Sequence, residues 1–503
     1  MNQYKRVLQD MNKMSITDKL KELMEKYESN EYMINRLHHH INHILPNTLE
    51  AENDNYNDRI QRTNILQTTQ ETFIKVFLDK HKYYYLSSSG NFYEYADNTY
   101  VIIKEDDILH KLLTTISEDR VLMDWKYKTK TTIIRRIKER NLLSSTPNTE
   151  TIQHVLNALY PAFFPSKNAT KYFLTVVGDN ILKKQTFIRV INKHAHLFYD
   201  IDCLSSLIGA SSITTNFASK YNDSHVYNQY RLLQVNEHFS QEMWYNVIGM
   251  LHLDFLCVAA HYSNRYSSSE KFIETIADNN LKQHIMYLQT NSQEQIITRF
   301  IEHSTQPADI TFHITWKQLH YIWKQYLGIQ VLPNMMYSYA LKQSLVNKLQ
   351  YDEANDSFLN ITSKYLPMIS KFLQFWEHHI HLSTNNELEI SELYALYNLS
   401  TTMKEHDILK LVKHFYPEIV VVDNKYILGI ECDLWNKQTD IQELIEWYKQ
   451  NKPVDIVSID EMYEKYTARL SGTEKRISSK RYFEKYIRSE LKEYIVYETF
   501  FQF

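Results

Sequence analysis

Apolar positions recur at helical spacing along most of the chain. "ITDKLKELMEKY" puts Ile16, Leu20, Leu23 and Met24 on one face, which predicts amphipathic helix within residues 1–50. "EAENDNYND" (50–58) is acidic and poor in apolar residues, and predicts a linker. The spacing then shortens. Residues 83–86, 92–95 and 100–103 read as three strands joined by turns at 87–90 and 96–98, with a helix starting near 105–107. Helical spacing resumes over 125–170, broken at Pro147, Pro161 and Pro165. The stretch 171–310 is mixed and mostly helical, and 311–382 reads as a helical unit. Residues 383–440 and 453–503 read as two small modules of one type, with "NKPVD" (451–455) as a linker between them. The pattern predicts a mainly α protein with small β elements (α+β), multi-domain, with winged-helix modules in the C-terminal third. The predicted segments are 1–60, 61–170, 171–310, 311–382, 383–440 and 441–503.

The module at 383–440 carries the clearest local order. Ile390, Leu393, Tyr394 and Tyr397 form one helical face, and residues 400–402 are suited to cap the next helix. Ile408, Leu409, Val412 and Phe415 form a second stripe, ended by Pro417. "IVVV" and "YILGI" around Asp423-Asn424-Lys425 then read as a hairpin. Helix, turn, helix, hairpin is a winged-helix order, in which the second helix enters the major groove and the hairpin touches the backbone. Lys404, Lys410, Lys413, His414 and the tip residue Lys425 are its candidate contacts, and a protein-binding module of the same shape is the alternative.

Composition narrows the chemistry. There are only 7 glycines in 503 residues, no two of them close, so GxGxxG and GxxxxGK[ST] are both absent. That argues against an ordinary dinucleotide or P-loop enzyme. The net charge of −4 excludes a globally basic nucleic-acid binder but allows local basic surfaces. Three widely spaced cysteines form no zinc or disulfide pattern and fit a reducing compartment. The N-terminus lacks the apolar run of a secretory signal, and 247–260, the most apolar stretch, holds His252 and Asp254 and is short for a bilayer span. An intracellular protein without a membrane partner is expected.

Two basic stretches stand out. "WKYKTKTTIIRRIKER" (125–140) sets Lys126, Lys128, Lys130, Arg135, Arg136, Lys138 and Arg140 against Glu139 alone, while Ile133, Ile134 and Ile137 supply an inward face. That is the footprint of phosphate contacts. "SSKRYFEKYIRSELK" places Arg481, Lys485, Arg488 and Lys492 on one stripe, with Ser478 or Ser479 as cap, making the second candidate recognition helix. Solvated helix faces neutralised by neighbouring acids are the alternative for both.

"KYILGI" (425–430) resembles the end of the RFX-type winged helix, although "EIVVVDN" lacks the arginines of that family's wing. More widely, "WKYKTKTTIIRRIKERNLLSSTPNTETIQHVLNALYP", "ATKYFLTVVGDNILKK", "SKYLPMISKFLQFWE", "KYILGIECDLWNKQTDI" and "SSKRYFEKYI" are similar to an uncharacterised family of giant-virus (nucleocytoplasmic large DNA virus) proteins carrying that domain. The strand region near 83–103 resembles the N-terminal part of poxvirus-type primase–helicases. These resemblances imply viral DNA transactions in the host cytoplasm, the viral factory or the virion, with DNA and other viral replication or transcription proteins as partners.

"FLTVVGDNILKK" looks like an apolar strand, glycine, loop and lysines, but it lacks the second glycine and the hydroxyl of a P-loop. His38–His43, His194 with His196, and His378–His381 cluster without a completing Cys or Glu, and Asp200-x-Asp202 has no partner acids. Trp316, Tyr321, Trp323 and Tyr326 sit at core spacing. No catalytic set, metal or cofactor is assigned. The chain reads as a non-enzymatic DNA-binding protein. The alternatives are a degenerate or accessory primase–helicase and a virion or scaffold protein.

Overall fold

A computed structural model describes residues 15–120, 122–184, 187–222, 226–236, 240–276, 278–397, 403–451, 456–471, 476–497 and 500–502. The cap at 400–402 lies outside these residues, as do the first 14 positions and most of the linker at 451–455. The mainly α, multi-domain class read from the pattern is the one adopted. The chain divides into two compact units: 1–186 with 197–215 and 235–278, and 187–196 with 216–234 and 279–503.

The first unit begins with three helices, α1 (Ile16–Tyr27), α2 (Glu31–His39) and α3 (Leu45–Lys80). The acidic stretch 50–58 is therefore not a linker but the middle of a 36-residue helix. Low apolar content suits a helix whose faces all meet water, and every residue from 42 to 65 is exposed. Only the last turns of α3 are anchored, through Gln70, Ile74, Phe77 and Leu78. The three strands appear close to where the alternation places them, as an antiparallel meander of β1 (Lys82–Leu86), β2 (Asn91–Ala96) and β3 (Thr99–Ile103). Asp97 and Asn98 take positive φ at the tight turn, a conformation that Asn and Asp tolerate. α4 (Glu105–Asp119) and α5 (Lys126–Lys138) close over the sheet, and Ile108, Leu112, Ile116, Ile133 and Ile137 join Phe77 and Tyr83 in one core.

α6 (Thr149–Leu159), α7 (Lys167–Ile181) and α8 (Gln241–Tyr266) follow. Residues 173–177, which look like a strand, lie inside α7 and are buried on all sides. A helix enclosed all round loses its periodicity and reads like a buried strand. α7 and α8 meet at Gly178, where an added Cβ would lie 2.1 Å from Ala259 O. α8 is also longer than the 247–260 run. By length and apolar composition it could cross a bilayer, and 61% of its most apolar window is buried inside this unit.

The second unit contains a small parallel sheet, β4 (Arg189–Ile191) between β5 (Phe217–Ala218) and β6 (Tyr230–Leu232). One element order then occurs three times, helix, strand, helix, helix, strand, strand, and the first occurrence carries in addition a pair of two-residue strands, Gln306–Pro307 and Ile361–Thr362, hydrogen-bonded to each other. Module A is α9 (Gln293–Ser304), β7 (His313–Thr315), α10 (Trp316–Ile329), α11 (Ser338–Val346), β8 (Tyr351–Asp352) and β9 (Ser357–Leu359). Module B is α12 (Leu366–His379), β10 (Ile380–Glu389), α13 (Ile390–Tyr397), α14 (Glu405–Phe415), β11 (Val421–Val422) and β12 (Tyr426–Cys432). Module C is α15 (Lys437–Asn451), β13 (Val457–Ser458), α16 (Ile459–Leu470), α17 (Lys480–Glu490), β14 (Ile495–Tyr497) and β15 (Phe500–Phe501).

In each module the last strand lies between the other two, giving the orders β7-β9-β8, β10-β12-β11 and β13-β15-β14. Module A falls mostly within a segment whose pattern predicts helices alone. Its strands are two or three residues long, too short to show alternation. Tyr321, Trp323 and Tyr326 are core, as their spacing predicts. Modules A and B share one hydrophobic core, which also takes in Ile191, Tyr230 and Leu232 of the parallel sheet, whereas module C closes a core of its own around Tyr448, Met462 and Phe483.

Candidate nucleic-acid interface

The three-isoleucine face holds α5 in place, and a buried hydrogen bond from Gln70 Nε2 to Thr129 Oγ1 (3.0 Å) ties it to α3. Its cations therefore project outward. Lys128 lies over the Trp125 ring at 3.6 Å. Arg135 and Lys138 reach Glu139 (4.0 Å) and Glu105 (3.8 Å), exposed pairs that contribute little. Arg140 turns back, donating from Nη1 to Leu78 O at 3.0 Å, and so joins α5 to α3 rather than facing solvent. Among the described residues, Lys126, Lys130 and Arg136 form no ion pair.

In module B, Lys404 precedes α14 in extended backbone and is exposed. Lys410 sits 3.8 Å from Asp407, Lys413 bonds the turn residue Asn424, and Lys425 pairs with Glu389 at 3.2 Å. All four side chains remain accessible to a ligand. His414 departs from its expected role. Its Nε2 donates to Lys317 O (2.8 Å) and its Nδ1 faces the Lys324 ammonium (3.0 Å). Burial, reinforced by Lys324 and Lys317, lowers its pKa to about 4 despite the bond to the Lys317 carbonyl. A neutral ring engaged with module A makes no phosphate contact near neutral pH.

In module C the basic stripe is divided. Ser479 caps α17, accepting from Tyr482 N. Arg481 Nε lies 3.2 Å and Lys485 Nζ 3.6 Å from the two carboxylate oxygens of Glu387, on β10 of module B. The Arg481 guanidinium also covers the Tyr426 ring at 4.5 Å. Tyr482 donates to Asn386 Oδ1 (2.9 Å), and Ser479 N donates to Glu392 Oε1 (2.7 Å). Beneath them Lys437, 6% exposed, bonds Glu392 and donates to Glu387 O (2.9 Å), and desolvation lowers its pKa against the pull of Glu392. The first half of the stripe thus joins module C to module B. Arg488 and Lys492 remain exposed, with no ion pair among the described residues.

Glu387, Glu392 and Lys437 had no place among the sequence candidates. No local pattern marks them, because their pairing depends on how module C docks on module B.

The other candidates resolve into structure. Lys184 Nζ bonds Ser263 Oγ (2.6 Å), Ser263 O (2.9 Å) and Ser267 O (2.8 Å), capping the end of α8. Ser263 in turn donates to Asp179 (2.6 Å). Asp202 accepts from Ser212, Ile213 N and Thr214. No three His, Cys, Asp or Glu side chains among the described residues come together as a metal site. Comparison with protein-family models, with curated proteins and with solved structures finds no match.

Proposed function

We propose that this chain is a DNA-binding protein of a large DNA virus, acting in viral transcription or replication, and that modules A to C are winged helices. The observation that carries the reading is α5: a helix anchored by three isoleucines, whose outward cations face one acid on their own stretch and include three without an ion pair. Lys404, Lys410, Lys413 and Lys425 form the helix and wing face of module B, and Arg488 and Lys492 extend the surface in module C. Solvent-facing lysines and arginines of this kind take phosphate contacts, so affinity comes mainly from counterion release. Neither a reaction nor a cofactor enters this reading.

Fluorescence anisotropy with duplex and single-stranded DNA across a salt series tests it. Each phosphate contact contributes about 0.9 to the slope of log K against log salt on duplex, so replacing Lys126, Lys130 and Arg136 by alanine should lower the slope by roughly 3. Salt-insensitive or absent binding by the full chain rejects it.

A second reading has its own observation. Arg481 and Lys485, on a helix that would read DNA, instead hold module B. Winged helices that serve as protein-binding scaffolds would do this, and the chain would then copurify with a viral protein after nuclease treatment.

A further inference from the structure

The first unit leaves most of its longest helix uncovered. Residues 42–65 are all exposed, and they include Leu45 (50%), Leu49 (54%), Tyr56 (63%) and Ile60 (41%). At 100° per residue these four side chains fall within ~60° of one another, forming one stripe. The surrounding residues include six asparagines (42, 47, 53, 55, 57 and 64), which are weak helix formers. A solvated helix of that composition gains little from its own hydrogen bonds, and helices in proteins draw most of their stability from an apolar face that is packed. The stripe therefore needs a partner.

We propose that the partner is a second copy of this chain, whose α3 lies antiparallel on the same stripe. The spacing points to it. The four apolar positions are symmetric about the Glu52–Asn53 bond: Leu45 and Ile60 are equally far from it, and so are Leu49 and Tyr56. A two-fold axis there sets Leu45 over the partner's Ile60 and Leu49 over the partner's Tyr56, so that every apolar side chain meets another. This is the self-complementary arrangement of an isologous interface. The direction follows from the rest of α3. The same stripe continues into Gln70, Ile74 and Phe77, which are buried in this unit's own core. A parallel partner would carry its own core to the same level and collide. An antiparallel partner places the two cores at opposite ends of the pair.

The pairing also sets one unfavourable contact. Glu52 lies on the stripe beside the axis and would face its own copy. This like-charge pair weakens the dimer and gives a test that a general loss of apolar surface would not.

Sedimentation equilibrium of the full chain should report a dimer. Leu49→Asp with Tyr56→Asp should return one chain's mass, with the helical circular dichroism falling by no more than the exposed part of α3 contributes, since both side chains lie outside the unit's own core. Glu52→Gln should lower the dissociation constant several-fold. In a Cys203→Ser background, mixing Leu45→Cys chains with Ile60→Cys chains under oxidation should give a disulfide-linked pair, and neither variant alone should. A monomeric wild-type chain overturns the proposal. So does cross-linking of Leu45→Cys to itself without the mixed product, which would mean a parallel pair, or a wild-type dimer whose mass the double aspartate variant leaves unchanged.

Discussion

Glu387 of module B lies 3.2 Å from Arg481 of module C, with Lys485 on its other carboxylate oxygen. The carboxylate is 2% exposed while the two cations are 40% and 55% exposed, so the acid fills the position between them that an external anion would otherwise take. Glu387→Gln keeps the shape and removes the charge. If α17 reaches DNA, its duplex affinity at low salt should rise several-fold, and the salt slope should steepen by up to ~2 as two cations become available. Anisotropy titrations of wild type and variant decide it. An unchanged slope means that α17 serves module docking alone.

The contact between modules A and B should make stability depend on acid. The His320 and His414 rings lie 5.3 Å apart, beside Lys317 and Lys324, and burial first, then the neighbouring Lys324, lowers both pKa values to about 4. An unfolded histidine titrates near ~6.5. The unfolded chain therefore binds more protons between these values, so stability is full above about pH 6.5 and falls as the pH drops to about 4. With both rings partly exposed, the loss is on the order of 3 kcal/mol for the two together. His320 stacks on Trp316 at 5.1 Å, so His320→Phe should keep the packing and roughly halve this loss. Urea unfolding of wild type and variant from pH 7 to 4 measures the difference, and carboxylate titration elsewhere cancels in the comparison.

What was legible in the sequence had local causes. The β1–β3 meander shows because short aromatic and β-branched runs are separated by turn residues, Asp97-Asn98 among them, and the outline of module B shows because Pro417 ends a clean apolar stripe. The basic face of α5 shows because three isoleucines fix which side is buried. Module A does not show, since its strands are too short for alternation and its aromatics read only as helix. Nor can a sequence reveal that Glu387 answers Arg481, or that His414 turns toward Lys324, because those pairings depend on how modules far apart in the chain are docked. The error over 50–58 has another origin. Polar composition marks an element not packed against its own chain, and a linker and an exposed helix share that composition.

Glycines separate packing from propensity. An alanine Cβ at Gly178 would meet Ala259 O and the Ser263 side chain where α7 crosses α8, all within 2.7 Å. Backbone atoms cannot move aside, so Gly178→Ala should destabilise by about 3 kcal/mol or more despite its better helix propensity. Gly249 and Gly328, also helical, have nothing within 4 Å. Gly249→Ala and Gly328→Ala should each stabilise by about 0.5–1 kcal/mol. Thermal denaturation of the three variants should move in these opposite directions.

Lys184 tests whether the P-loop-like stretch retains any nucleotide chemistry. Its ammonium makes three hydrogen bonds at the end of α8 and lies 3.8 Å from Asp179, whose side chain is completely buried. Asp179 also accepts from Ser263 Oγ and Ser269 N, so its charge is held by neutral donors with Lys184 as the nearest cation. Removing the lysine takes away the only countercharge that the carboxylate pairs with among the described residues and uncaps two carbonyls. Lys184→Ala should therefore lower unfolding stability by about 2–4 kcal/mol. Lys184→Met should do the same, because the loss is of charge rather than volume. The wild-type chain should show no magnesium-dependent ATP turnover, since Lys183 and Lys184 follow a buried helix and not a phosphate-cradling loop. Turnover that disappears in Lys184→Ala while the urea midpoint stays constant would overturn the structural role and restore the enzymatic one.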